Sequence, residues 1–91
     1  MNKLKFSLGQ CVLTKTAQDF LQTNNKLAID YVFRHVKGDW GDLDEEDKQA
    51  NENALINNNR LLSAYLLAGQ KIYVLTEHDR SQTTVMLASD Y

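Results

Sequence analysis

The sequence predicts an α+β domain in the order N-terminal strand, three helices, then a three-stranded antiparallel meander. Three observations carry that prediction. The last third holds short runs rich in Leu, Val, Ile, Tyr and Thr, parted by Gly69-Gln70 and by His78-Asp79-Arg80-Ser81, as hairpin-linked strands are. The middle places Ile29, Val32, Phe33 and Val36 at i, i+3, i+4 and i+7, the spacing of a helix with one apolar face. The opening alternates loosely, with Phe6, Leu8 and Val12 on one parity, as a half-buried strand does.

Each element has its own signals. The first strand is expected over 4–13, interrupted near Gly9. Thr14 or Thr16 caps a short helix that ends at Thr23, before Asn24-Asn25. A second helix is expected over 26–37 with Gly38 as its terminator. Asp42, with Glu45 three residues on, is an Asx form of the capping box. The third helix it would start runs to Asn57, with Leu43, Asp47, Ala50 and Ala54 on a weak inner stripe. Strands over 60–68 and 71–77 flank Gly69-Gln70, read as a type II′ turn. That register pairs Ala68 with Lys71, Tyr65 with Val74 and Ser63 with Thr76. A third strand over 83–88 sets Thr76 opposite Thr83. One face then carries Leu61, Ser63, Tyr65, Leu67, Ile72, Val74, Thr76, Thr83, Val85 and Leu87. The other carries Leu62, Ala64, Leu66, Tyr73, Leu75, Glu77, Thr84 and Met86. Both are largely apolar, and three short helices cover only one. The second face calls for a homodimer through the sheet, a foreign protein, or the N-terminal segment.

Composition narrows the function classes. The 91 residues, 43% apolar with a net charge of −2, suit one domain over 1–91. No apolar run of about 18 residues is present, so a membrane span is not expected. The start Met1-Asn2-Lys3-Leu4-Lys5-Phe6 has basic charge but no apolar stretch behind it, unlike a signal peptide, and a cytoplasmic protein is expected. Cys11 is the single cysteine, so neither an internal disulfide nor a cysteine zinc site can form. Charge is segregated: residues 1–37 balance at +4, residues 38–59 at −6, and residues 60–91 at zero.

Two constellations could carry function. Ser63, Thr76 and Thr83 make a hydroxyl row on an otherwise apolar face, with Arg80 in the neighbouring turn and His35 on the second helix. A cationic and hydroxyl cluster of that kind suits a metal-independent ribonuclease, with His35 as acid/base and Arg60 and Arg80 on the phosphate. The bland reading is ordinary cross-strand Thr pairing and a helix end neutralised by Arg34-His35. The second constellation is Trp40, between Gly38 and Gly41, beside Asp39, Asp42, Asp44, Glu45, Glu46 and Asp47. Trp40 is either a core plug or a partner anchor. The acids lack EF-hand spacing and suit a helix N-terminus without an ion, so no metal and no cofactor is expected. No helix carries the basic and amide run of a recognition helix, so nucleic acid is not a favoured partner.

Phe6-x-x-Gly9-Gln10, the run from Arg34-His35-Val36 through Gly38-Asp39-Trp40-Gly41-Asp42-Leu43-Asp44-Glu45-Glu46-Asp47 to Asn51-Glu52, Arg60-Leu61-Leu62-Ser63-Ala64-Tyr65, and Thr76-Glu77-x-Asp79-Arg80-Ser81-x-Thr83-Thr84-Val85 together resemble one family. It comprises short proteins of bacterial plasmids, integrative elements and prophages, often labelled plasmid-related proteins or type I restriction methylation subunits. His78 and Ala88 depart from its usual pattern. The methylation label does not fit this chain, which has no glycine-rich S-adenosylmethionine loop and no proline. The resemblance implies a mobile-element setting rather than an activity. The expected function is a small non-enzymatic interaction module docking on a host or element protein, for example to blunt a defence system. Trp40, Asp39, Asp42, Asp44, Glu45 and Glu46 are the expected contacts. The alternative is the ribonuclease-like toxin using His35, Arg60, Ser63, Thr76, Arg80 and Thr83.

Overall fold

The computed structural model describes residues 4–91; residues 1–3, which begin the basic N-terminus, lie outside it. The order is β1 (Gln10–Leu13), α1 (Lys15–Thr23), α2 (Ala28–Val36), α3 (Glu45–Asn57), β2 (Leu61–Leu67), β3 (Gln70–Thr76) and β4 (Gln82–Leu87), closed by a 3-10 turn over Ala88–Asp90. This is the α+β order the sequence predicts. The meander β2–β3–β4 is antiparallel, and β1 joins it alongside β4 in parallel, giving a mixed sheet of order β1-β4-β3-β2.

The first strand is shorter than expected. Residues 4–9 leave the sheet and cross its helical side, where Lys5 N–H donates to the Val36 carbonyl and the Leu8 carbonyl accepts from Thr83. Residues 4–9 therefore do not cover the second face.

The β2–β3 turn also differs. Leu67 pairs with Gln70, so the two turn residues are Ala68 and Gly69, with φ of +48° and +79°. Two successive left-handed residues make a type I′ turn, whose twist matches the flanking strands. Tyr65 consequently faces Ile72, Ser63 faces Val74 and Leu61 faces Thr76, two residues away from the expected register. A shift of two preserves parity, so every side chain stays on its predicted face. Thr76 does lie opposite Thr83. Alanine is strained in the left-handed region, so Ala68→Asn should raise unfolding free energy by about 0.5–1 kcal/mol, read from urea midpoints at constant slope.

The first face is the core. Tyr65, Ile72, Val74, Val85 and Leu87 pack against Ala17 and Leu21 of α1 and Tyr31 and Val32 of α2. Thr14 caps α1, its hydroxyl accepting from Ala17 N–H at 3.3 Å. α2 is rotated from its expected setting. It buries Tyr31, Val32, His35 and Val36, while Ile29 and Phe33 are 60% and 55% exposed. Tyr31 and His35 each carry an apolar body with a polar tip, and such side chains go inside where the tip finds a partner.

α3 starts at a different cap. Asp44, not Asp42, accepts from the Asp47 N–H at 2.8 Å, and Asn58 ends the helix in the left-handed conformation. Its buried residues are Asn51 and Ala54; of the expected stripe Ala54 is buried and Leu43 packs against the same cluster, while Asp47 and Ala50 are exposed. Ala54 joins Trp40 and Leu61 in a second apolar cluster, flanked by Phe6, Leu43 and Leu55.

α3 and the loop before it close the β2 edge. Ala64 N–H donates to the Trp40 carbonyl, and its own carbonyl accepts from Asp42 N–H. Asp42 Oδ2 accepts from Leu66 N–H at 2.7 Å. The Asn51 amide meets both Leu62 groups, donating to the carbonyl at 2.8 Å and accepting from the N–H at 3.1 Å. One asparagine thus stands in for a peptide unit, and the strand edge offers little for another chain to pair with.

Candidate functional site

The hydroxyl row and His35 do come together. The α2 rotation drives the imidazole onto the first sheet face, where Nδ1 lies 2.6 Å from Ser63 Oγ and Nε2 lies 2.9 Å from Thr76 Oγ1. Thr76 Oγ1 is 2.7 Å from Thr83 Oγ1, which donates to the Leu8 carbonyl at 2.8 Å. His35 is the link that Ser63 would otherwise lack, because Ser63 faces Val74 and not Thr76.

The protons follow from the far end. The Leu8 carbonyl can only accept, so Thr83 donates to it and accepts from Thr76. Thr76 has then spent its proton, and accepts from His35 Nε2–H. That leaves Nδ1 as an acceptor for the Ser63 hydroxyl. A single chain runs Ser63 → His35 → Thr76 → Thr83 → Leu8 carbonyl, with imidazole as the Nε2–H tautomer.

This chain is sealed. His35, Ser63, Thr76 and Thr83 are all fully buried. Phe6 and Trp40 set their rings edge-on to the imidazole at centroid distances of 5.1 and 5.8 Å. Burial, reinforced by the positive charge of Arg80, lowers the His35 pKa from 6.5 to about 3, so the ring is neutral at pH 7. A serine donating to a neutral imidazole is the arrangement of an activated nucleophile, but no substrate atom can approach it here.

The two arginines of the ribonuclease reading face other tasks. Arg60 Nε sits 3.6 Å from Glu77 Oε1 at the surface. Arg80 spends its guanidinium on carbonyls: Nη1 donates to Asn59 and Glu77 at 2.7 and 3.1 Å, and Nη2 to Ala54 at 3.1 Å. It thereby caps the α3 C-terminus and ties it to the β3–β4 turn. Arg80→Ala should cost about 2 kcal/mol in chemical denaturation. Arg80→Lys should recover little of it, since a point charge cannot reproduce the fork.

Of the expected partner contacts, Trp40 requires correction. It is 4% exposed, stacked on Phe6 at 6.3 Å, with its indole N–H donated to Glu52 at 2.7 Å. It is a core plug. Asp39 bonds Arg34 Nε at 2.7 Å and accepts from Gly41 N–H, and the Arg34 contact lowers its pKa below the usual carboxylate value. Asp42 and Asp44 are the edge cap and helix cap already described. Glu45 and Glu46 are exposed, and Glu45 makes only a long 3.9 Å contact to Lys48. Among the described residues no cluster of three or more His, Cys, Asp or Glu could hold a metal ion.

Sequence reasoning missed a groove of about 320 Å³ where α3 overhangs the second sheet face. Leu62, Ala64 and Tyr73 form its floor, Ala50 and Asp47 one wall, and Arg60 and Lys71 its basic ends. Beyond it Leu66 is 60% exposed, and Tyr91 stands edge-on to Tyr73 at 5.7 Å. The signal for it was present in the second apolar face, but the side on which α3 leans was not. No helix in the described residues is long and apolar enough to cross a membrane. Comparison of the chain with protein-family models, curated proteins and solved structures returns no match.

Proposed function

We propose that the chain is a non-enzymatic protein-interaction module, working in the mobile-element setting that its sequence resemblance implies and docking on a host or element protein. The observation that carries this reading is the division between the two sheet faces. Ser63, Thr76, Thr83 and His35 of the would-be catalytic row are fully buried, whereas the second face, though Ala64, Leu75 and Met86 on it are buried, presents exposed Leu66 and half-buried Leu62 and Tyr73 beside Arg60 and Lys71. Asp47, in the acidic first turn of α3, lines that groove, and the exposed Glu45 and Glu46 precede it in the same turn, an acidic margin suited to a basic partner. An aromatic floor with charges at the margin is the composition of a protein interface core and rim.

The test is affinity capture from bacterial lysate, with variants on opposite sides of the domain. A stoichiometric bacterial protein retained by the wild type and by Phe33→Glu, but lost with Tyr73→Glu, supports docking through the groove. Cleavage of RNA by the purified chain overturns it in favour of the ribonuclease-like toxin. So does capture that is indifferent to Tyr73.

A further inference from the structure

We infer that the chain pairs with a second copy of itself through β1, in a continuous eight-stranded sheet. The two edges of the sheet are treated oppositely. The β2 edge is closed by Trp40, Asp42 and Asn51, whereas all four residues of β1 are exposed. In β1 the Gln10 N–H reaches Ser81 and the Thr14 N–H reaches Val85, both at 3.0 Å. In this parallel register Gln10, Val12 and Thr14 turn their peptide groups toward β4, and Cys11 and Leu13 turn theirs outward. Among the described residues nothing hydrogen-bonds to those outward groups. Natural edges are guarded by lysine, proline or a bulge; Gln10-Cys11-Val12-Leu13 has none of these.

The surroundings favour a second copy over a foreign strand. In a chain that is 24% charged, β1 carries no charge. The shallow groove of about 210 Å³ beside it is lined by Leu13, Leu21, Leu27, Gln18 and Gln22, with Lys26 as its one charged residue. Such a surface meets its own image without like charges opposed, and offers an acidic or basic peptide almost no complement. Two-fold symmetry also selects the register. An axis at Val12 pairs Cys11 with Leu13 of the second copy, and both outward residues exchange two hydrogen bonds each. An axis at Cys11 would need Gly9, and one at Leu13 would need Lys15; both lie outside the strand. With the axis at Val12, perpendicular to the sheet, both helical layers lie on the same side.

Sedimentation equilibrium of the full chain, carried up to about 1 mM, tests this. The expected species has twice the 10.4 kDa of one chain. In a Cys11→Ser background, Val12→Cys should form a disulfide dimer on oxidation, because the two Val12 Cα atoms would lie about 4.5 Å apart. Leu13→Cys should not, its copies being roughly 8–9 Å apart. Cys11→Lys/Leu13→Lys and Cys11→Glu/Leu13→Glu should each be monomeric, and mixing them should restore the dimer mass. A monomer throughout the concentration range overturns the inference. So does a dimer indifferent to both charge variants, which would place the contact on another surface, or cross-linking at position 13 in preference to 12.

Discussion

His35→Ala is expected to lower unfolding free energy by about 3–5 kcal/mol, measured by urea denaturation, leaving a domain of this size close to unfolded at 37 °C. The side chain is fully buried between Phe6 and Trp40, so its removal opens a cavity in a close-packed region. It also strands the Ser63 proton and leaves Thr76 without a donor. The magnitude alone does not distinguish a structural histidine from a reactive one, but a compensated variant does. His35→Leu with Ser63→Ala and Thr76→Val removes both ends of the two imidazole bonds, while Thr83, which loses only the bond it accepted from Thr76, still donates to the Leu8 carbonyl. That triple variant should recover most of the loss, because exchanging whole polar pairs for apolar groups of similar shape is close to neutral.

The same residue sets a pH dependence. The His35 pKa is about 3 in the fold against 6.5 for a free side chain. Between those values the unfolded chain binds a proton that the folded chain refuses. Stability is therefore full above about pH 6.5 and falls as pH is lowered toward 3, by roughly 4 kcal/mol in all. The carboxylates held below their usual range, Asp39, Asp79 and Asp90, also lose stability on acidification, but in a lower pH window. Their contribution is present above pH 3.8 and is lost only below it. Loss between pH 6.5 and 4.5 thus belongs to His35, and the triple variant should be flat there. A wild type with constant stability across that window would show the imidazole to be solvated.

The second large effect is expected at Gly41. Its φ is +81°, and a Cβ there would fall 2.1 Å from the Ala64 carbonyl oxygen and within 3 Å of the Tyr65 ring. The strain of a left-handed alanine is about 1 kcal/mol; the clash is worse, because it is with backbone. Relief requires the Trp40–Asp42 segment to leave the β2 edge, which breaks both Ala64 hydrogen bonds and the Leu66 contact and loosens Trp40. Gly41→Ala should cost more than about 3 kcal/mol and increase Trp40 fluorescence quenching by acrylamide. Gly69→Ala is the control. Its φ of +79° is similar, but nothing lies within 4 Å of the added carbon, so about 1 kcal/mol should be lost. Equal losses at the two positions would show that the edge cap contributes nothing.

Residue parity made the sheet legible. Alternation in 61–67, 70–76 and 82–87 assigns each side chain to a face, and a two-residue register error leaves those assignments intact. The turn itself was not legible, since nothing about Ala68 marks it as left-handed; only tertiary pairing selects Ala68-Gly69 over Gly69-Gln70. α2 was misread by about one residue of rotation, because hydropathy favours Ile29 and Phe33 over Tyr31 and His35 and takes no account of waiting hydroxyl partners. That error concealed the closure of the row by His35. For α3, Asp42 and Asp44 each precede an acid by three residues, so local sequence offers two equivalent caps. What separates them is that Asp42 is engaged by β2, a long-range contact with no local signature. Trp40 was open to two readings for the same reason. Parallel pairing of β1 with β4 leaves no mark in either segment.

That pairing has a consequence for how the chain is made. Gln10–Leu13 leaves the ribosome well before Gln82–Leu87, its ladder partner among the described residues. Of the four strands, the one synthesised first is therefore seated last, and until Gln82–Leu87 has emerged it waits as a short uncharged segment without its ladder partner. A chain released after Thr76 would lack β4, the strand that β1 pairs with, leaving the leading strand adrift and accessible to chaperones and proteases.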